Sequence, residues 1–145
     1  MWKLYLKSDE GIAIQSTFNC LKKCIIDDEE TVYIGKVKYI DYETEFINAG
    51  NMLEPFVHKR KSFEHEKEIR ALIVKWPTAK EGFDMTKETI KDGLLIKIDI
   101  EALIQKIYVA PNAPKWFSDL VKAVVNRYGY SFDVIHSQLD SAPFV

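Results

Sequence analysis

Cysteine is scarce in this 145-residue chain, and the two present, Cys20 and Cys24, are spaced in a way that excludes most cysteine chemistry. They lie four apart in a helical pattern, where Cβ atoms stand too far from one another for an easy disulfide. No CxxC pair exists to hold zinc. Histidine is nearly as sparse: His58, His65 and His136 share no metal-ligand spacing, and the HEKE at His65 lacks the second histidine of a helical zinc motif. There is no GxGxxG and no Walker A loop, and Ser137 lacks the glycine flanks of a hydrolase nucleophile. No apolar run approaches the roughly 18 residues that mark a membrane span, and no signal-peptide pattern opens the chain. Two thiols expected to be buried, no leader and no long apolar run together point to a reducing cytoplasm. A formal net charge of −2 provides no general field for nucleic acid or for a membrane surface.

What is present suits a globular α/β protein. With 47% hydrophobic and 29% charged residues, the chain reads as one domain over residues 1–145 with a real core. Its focal stretch is His58 to Trp76, HKRKSFEHEKEIRALIVKW, where a dense cluster of ionisable residues runs directly into a strongly apolar segment. Ile69 to Trp76 is apolar on both faces of a period-two ladder and rich in β-branched residues, which predicts an inner strand. Carried backward at the same period, Glu66, Glu68 and Arg70 fall on one face, with neighbours about 6 to 7 Å apart.

Two carboxylates and a guanidinium at a sheet end support two readings. In the first they form an ion network that terminates the strand, with Lys59, Arg60 and Lys61 as solvated charge. In the second, a carboxylate at the mouth of a buried strand holds a sugar hydroxyl or steadies a developing cation while nearby Arg and Lys bind phosphate. A nucleic-acid contact is disfavoured, because the cations of this stretch are interleaved with Glu64, Glu66 and Glu68.

Taken in order, Trp2 and Tyr5 precede a turn at Ser8 to Gly11 and a short strand at Ile12 to Gln15. Ser16 or Thr17 caps a helix with the apolar stripe Phe18, Leu21, Cys24 and Ile25, followed by an acidic loop from Asp27 to Glu30. Val32 to Ile40 alternates as a strand with a bulge at Gly35 and continues toward Ile47. Met52 to His58, containing Pro55, predicts a helical turn that delivers Phe56 to the core, and Pro77 to Gly93 a surface connection. Leu94 to Ile98 reads as a strand, Asp99 as the cap of a short helix from Ile100 to Gln105, and Ile107 to Ala110 as a buried strand. Asn112 or Ala113 caps the clearest helix, which has Pro114 at its first turn and carries Trp116, Phe117, Leu120, Val121, Val124, Val125 and Tyr128 before Gly129 stops it. A last strand, Phe132 to His136, completes a strand–helix–strand crossover.

The start Trp2 to Tyr5 followed by GIAIQST, together with KRKSFEHEKEIRA, resembles the bacterial family known as domain of unknown function 2971. The residues that carry the resemblance are Trp2, Tyr5, Gly11, Phe63, Glu66, Glu68 and Arg70. It covers most of the chain and fades in the last third. The fuller architecture of that family looks distantly like ADP-ribosyltransferases, whose E-x-E-type glutamate holds the nicotinamide ribose of NAD; Glu66 and Glu68 are the matching positions. Family members usually carry a further N-terminal segment that this chain lacks. The resemblance therefore implies a truncated or split nucleotide-using transferase, partnered by a second copy or by a separate N-terminal segment.

The resulting expectation is an α/β or α+β domain with a mixed sheet of about five or six strands and two main flanking helices. Its candidate catalytic residues are Glu68, with Glu66 and Arg70 orienting it. Trp2, Gln15, Lys59 and Arg60 are the candidates for contact with a ligand such as NAD, and no metal is expected. The competing reading is a non-catalytic binding or protein-interaction module using the same charges.

Overall fold

The computed structural model describes residues 2–6, 8–26, 29–48, 50–75 and 93–139. Trp76, residues 77–92 of the connection expected over 77–93, and Asp27 and Asp28 of the expected acidic loop lie outside the described residues. In chain order the elements are α1 (Trp2–Tyr5), β1 (Ile12–Gln15), α2 (Phe18–Cys24), β2 (Val32–Lys36), β3 (Lys38–Ile40), β4 (His58–Arg60), β5 (Ile69–Ile73), α3 (Ile100–Leu103), β6 (Lys106–Val109), α4 (Lys115–Arg127) and β7 (Asp133–His136). Short 3-10 turns occupy Glu54–Val57 and Lys61–Glu66.

The mixed α/β class read from the sequence is the one observed, and the strands among the described residues sort into three sheets of order β1-β6-β7, β2-β5 and β3-β4. Contacts divide the chain into two compact units, the first comprising Met1–Ile26 with Lys97–Val145 and the second Asp27–Ile96. The second is thus inserted in the sequence of the first.

In the first unit β6 is the central strand, antiparallel to β1 and parallel to β7, and α4 makes the connection between the two parallel strands. Ile107 and Val109 are buried on one face of β6, and the register sets Val134 beside Ile107. Val121 and Val125 of α4 join Ile104, Ile107 and Val134 in the core, which requires them to share a helix face, as their spacing of four allows. The apolar residues of α4 exceed what one face can bury: Trp116, Leu120, Val124 and Tyr128 are exposed. Gly129 ends the helix at φ +81°, a conformation that glycine adopts without a Cβ penalty.

Local capping explains the shorter elements. The Thr17 side chain accepts from the Cys20 N–H (3.2 Å) at the start of α2, and Asp99 Oδ1 accepts from Glu101 (3.0 Å) and Ala102 (3.1 Å) at the start of α3. Cys24 is buried and its thiol donates to the Leu21 carbonyl at 3.1 Å, while burial pushes its pKa above the ordinary value. The strand expected over Leu94 to Ile98 reduces to a single bridge, Ile25 with Ile98, and Leu95 is almost wholly exposed. Apolar composition alone did not give that segment a partner strand.

In the second unit, the run Val32 to Ile40 breaks at Val37 rather than bulging at Gly35. The Val37 N–H donates to the Glu68 carbonyl (2.9 Å), and beyond it β3 pairs with β4 instead of β5. No strand follows from Asp41; its carbonyl accepts from Glu45 (2.8 Å) and its Oδ1 from Glu43 (3.0 Å), which closes a turn. The helical turn at Pro55 forms as expected, yet Phe56 is exposed rather than delivered to the core. Lys59 and Arg60, read as solvated charge, lie in a strand parallel to β3. β5, read as an inner strand from its two apolar faces, has β2 as its one strand partner among the described residues.

Candidate functional site

Glu66, Glu68 and Arg70 do converge, although not through a continuous strand. The chain forms a 3-10 turn over Lys61–Glu66 and passes through Lys67 in the left-handed region (φ 48°) before β5 begins. That reversal carries Glu66 back toward β4, where the Lys59 ammonium ion-pairs with it and also reaches Glu68 Oε2 at 3.3 Å. Arg70 grips the same Glu68 carboxylate with two donors, Nε to Oε1 at 2.7 Å and Nη2 to Oε2 at 3.1 Å, and its Nη1 donates to the Phe56 carbonyl at 2.7 Å. The Lys59 ammonium also sits 4.8 Å from the centre of the Phe63 ring.

The electrostatics follow from this geometry. Hydrogen bonding from Arg70, supplemented by Lys59, holds the Glu68 carboxyl below its ordinary range despite partial desolvation. The Glu66 hydrogen bond in turn raises the Lys59 pKa. Glu68 is therefore a stable anion whose two oxygens both have internal partners, which makes it a poor proton acceptor and a good anchor. Tyr39 completes the arrangement by accepting the Glu68 N–H at 2.8 Å. Sequence reading missed Tyr39; its only signal was the inward period of Val37 and Tyr39. A concavity of about 530 Å³ adjoins Glu68, lined by Lys36, Val37, Tyr39, Glu64, Lys67 and Ile69 as well.

The ligand-contact candidates divide between the units. Lys59 belongs to the network, whereas Arg60 is exposed and pairs in register with Ile40 rather than Tyr39, so strand alternation turns it to the other face. Trp2 and Gln15 belong to the first unit. Gln15 is exposed at the end of β1, opposite Lys106, and lines neither the concavity beside Glu68 nor the apolar cavity beside Trp2.

Trp2 borders a second, apolar cavity of about 650 Å³. The α1 turn supplies Trp2 and Tyr5, the following Leu6 closes one side, β1 contributes Ile12 and Ala13, β6 contributes Tyr108, and Ser137, Gln138 and Leu139 follow β7. Ala13 and Tyr108 are cross-strand partners, on the sheet face opposite to that of Ile107 and Val109. Gly11 lets this wall form: its carbonyl accepts from Ala110 (2.9 Å), and any side chain there would run into Leu6. Trp2 is fixed from the far end of the sequence, its indole Nε1–H donating to Ser137 Oγ at 3.2 Å. Nothing in the sequence signalled this pairing across 135 positions.

Among the described residues no group of three or more His, Cys, Asp or Glu side chains is placed to hold a metal ion. No described helix is long and apolar enough to cross a membrane. No family model, curated protein or solved structure matches the chain.

Proposed function

We propose that this chain is a non-catalytic binding module whose ligand occupies the apolar cavity of the first unit. The observation that carries this reading is the wall itself: three aromatic rings and several aliphatic side chains bound about 650 Å³, and none of the described residues lining it is formally charged. Pockets of about 300 to 1,000 Å³ with apolar walls and a few polar groups are the usual form of a small-molecule site. The charged cluster of the second unit supports the same reading, since Glu68 is held by Arg70 and Lys59 as a structural anion. Free thiols at Cys20 and Cys24 accord with the cytoplasmic setting expected from the sequence.

The test uses a variant in which Trp2 is the sole tryptophan, made by Trp76→Phe and Trp116→Phe. Added naphthalene is expected to change the Trp2 emission saturably. Ala13→Leu, which enlarges an exposed side chain on the cavity wall, is expected to abolish the change without loss of fold. An unsaturable response, or one indifferent to Ala13→Leu, would count against the proposal.

A second reading is favoured by one observation, the concavity beside Glu68 that Lys36 and Lys67 also line. On this reading the chain is a nucleotide-using transferase related to domain of unknown function 2971. Glu68 would take a ribose hydroxyl of NAD and the two lysines its phosphates. NAD titration of wild type and Glu68→Gln separates the readings. Saturable binding that Glu68→Gln removes without destabilising the fold supports the transferase. An absence of NAD binding ends it.

A further inference from the structure

We infer that the cavity of the first unit selects an uncharged, flat aromatic ligand bearing a hydrogen-bond acceptor, and that Ser137 is the residue that reads the acceptor. The inference rests on the binding reading above and adds the class of ligand. Its basis is the valence of one hydroxyl. A serine Oγ can accept two hydrogen bonds and donate one. Ser137 Oγ accepts from Trp2 Nε1 at 3.2 Å and from the Leu139 N–H at 3.4 Å, so both acceptor positions are filled. Its proton has no acceptor among the described residues, although Ser137 is buried and lines the cavity. What remains for a ligand is a donor only.

The other polar groups in the wall do not impose this choice. The Trp2 N–H is already used on Ser137, while the Tyr5 and Tyr108 hydroxyls and the Gln138 amide can each donate or accept. A ligand with only a donor to offer would leave the Ser137 proton unmatched. An ionic ligand would lose its hydration against a wall that carries no countercharge among the described residues. The rings of Trp2, Tyr5 and Tyr108 favour a flat aromatic partner, which they can meet by stacking or edge contact.

Isothermal titration of the intact chain with naphthalene, 2-acetylnaphthalene and 2-naphthoate tests the inference. The ketone is expected to bind about fivefold tighter than the hydrocarbon, the effect of one net hydrogen bond. The carboxylate is expected to bind at least about tenfold more weakly than the ketone. In Ser137→Ala the ketone should lose its advantage to within about twofold while naphthalene still binds. Ser137→Cys, close in volume but a weak donor, is expected to behave alike and serves if Ser137→Ala does not fold. An unchanged ketone preference in these variants, or none in the wild type, overturns the inference while leaving the cavity as a binding site. Failure of all three probes to bind the wild type overturns the binding reading itself.

Discussion

Glu68 shows how much a single side chain depends on its neighbours. Its carboxylate is about one-third exposed, so its bonds to Arg70 and Lys59 are partly screened. Glu68→Gln is accordingly expected to lower stability by roughly 1 kcal/mol, measured by urea unfolding at neutral pH. The pH dependence has a definite sign. The folded pKa of Glu68 is depressed from 4.5, so its contribution is complete above that value and is lost as pH falls through the folded value. The stability gap between wild type and Glu68→Gln should hold from neutrality down toward 4.5 and close below it. A gap that widens in acid would contradict the network. The raised pKa of Lys59 acts in the opposite direction, its contribution present below 10.5 and lost as pH rises through the folded value.

At the scale of elements, capping and periodicity were legible, because both are written in adjacent residues. Asp99→Ala removes the acceptor for two N–H groups of α3 and is expected to cost about 1 kcal/mol, readable as a lowered urea midpoint with unchanged slope. β1 and α4 were also visible, the first from its alternation and turn, the second from its apolar spacing and terminal Gly129. β4 was not, since His58, Lys59 and Arg60 carry no apolar alternation and owe their strand to pairing with β3. The break at Val37 was equally hidden, being fixed by a hydrogen bond to Glu68 far along the chain. One consequence concerns β1, which has β6 as its only strand partner among the described residues and leaves Ile12 and Ile14 about half exposed. Such an edge invites pairing with another chain. Sedimentation is expected to show concentration-dependent self-association that Ile14→Lys reduces; a wild type that stays monomeric throughout would speak against an available edge.

At the scale of the whole molecule, the second unit enters the sequence at a closed point of the first. The Ile26 N–H donates to the Lys97 carbonyl at 3.2 Å, and the Asp99 N–H to Cys24 at 2.7 Å, so the chain leaves and returns at neighbouring positions. Replacing residues 27–96 by a short Gly-Ser turn should therefore leave a first unit that unfolds cooperatively, as followed by circular dichroism. A noncooperative product would mean that the first unit cannot fold alone. The convergence of Glu66, Glu68 and Arg70 could be read from sequence because four positions separate its ends. The cavity could not, because Trp2 and Ser137, which meet in its wall, lie 135 positions apart. The most direct test of the account is a 15N-resolved titration of the intact chain with 2-acetylnaphthalene, following the Trp2 indole N–H, the Leu139 amide and the Arg70 Nε–H. Saturable shifts at Trp2 and Leu139 with Arg70 unmoved are expected. Shifts confined to Arg70, or none at Trp2, would contradict it.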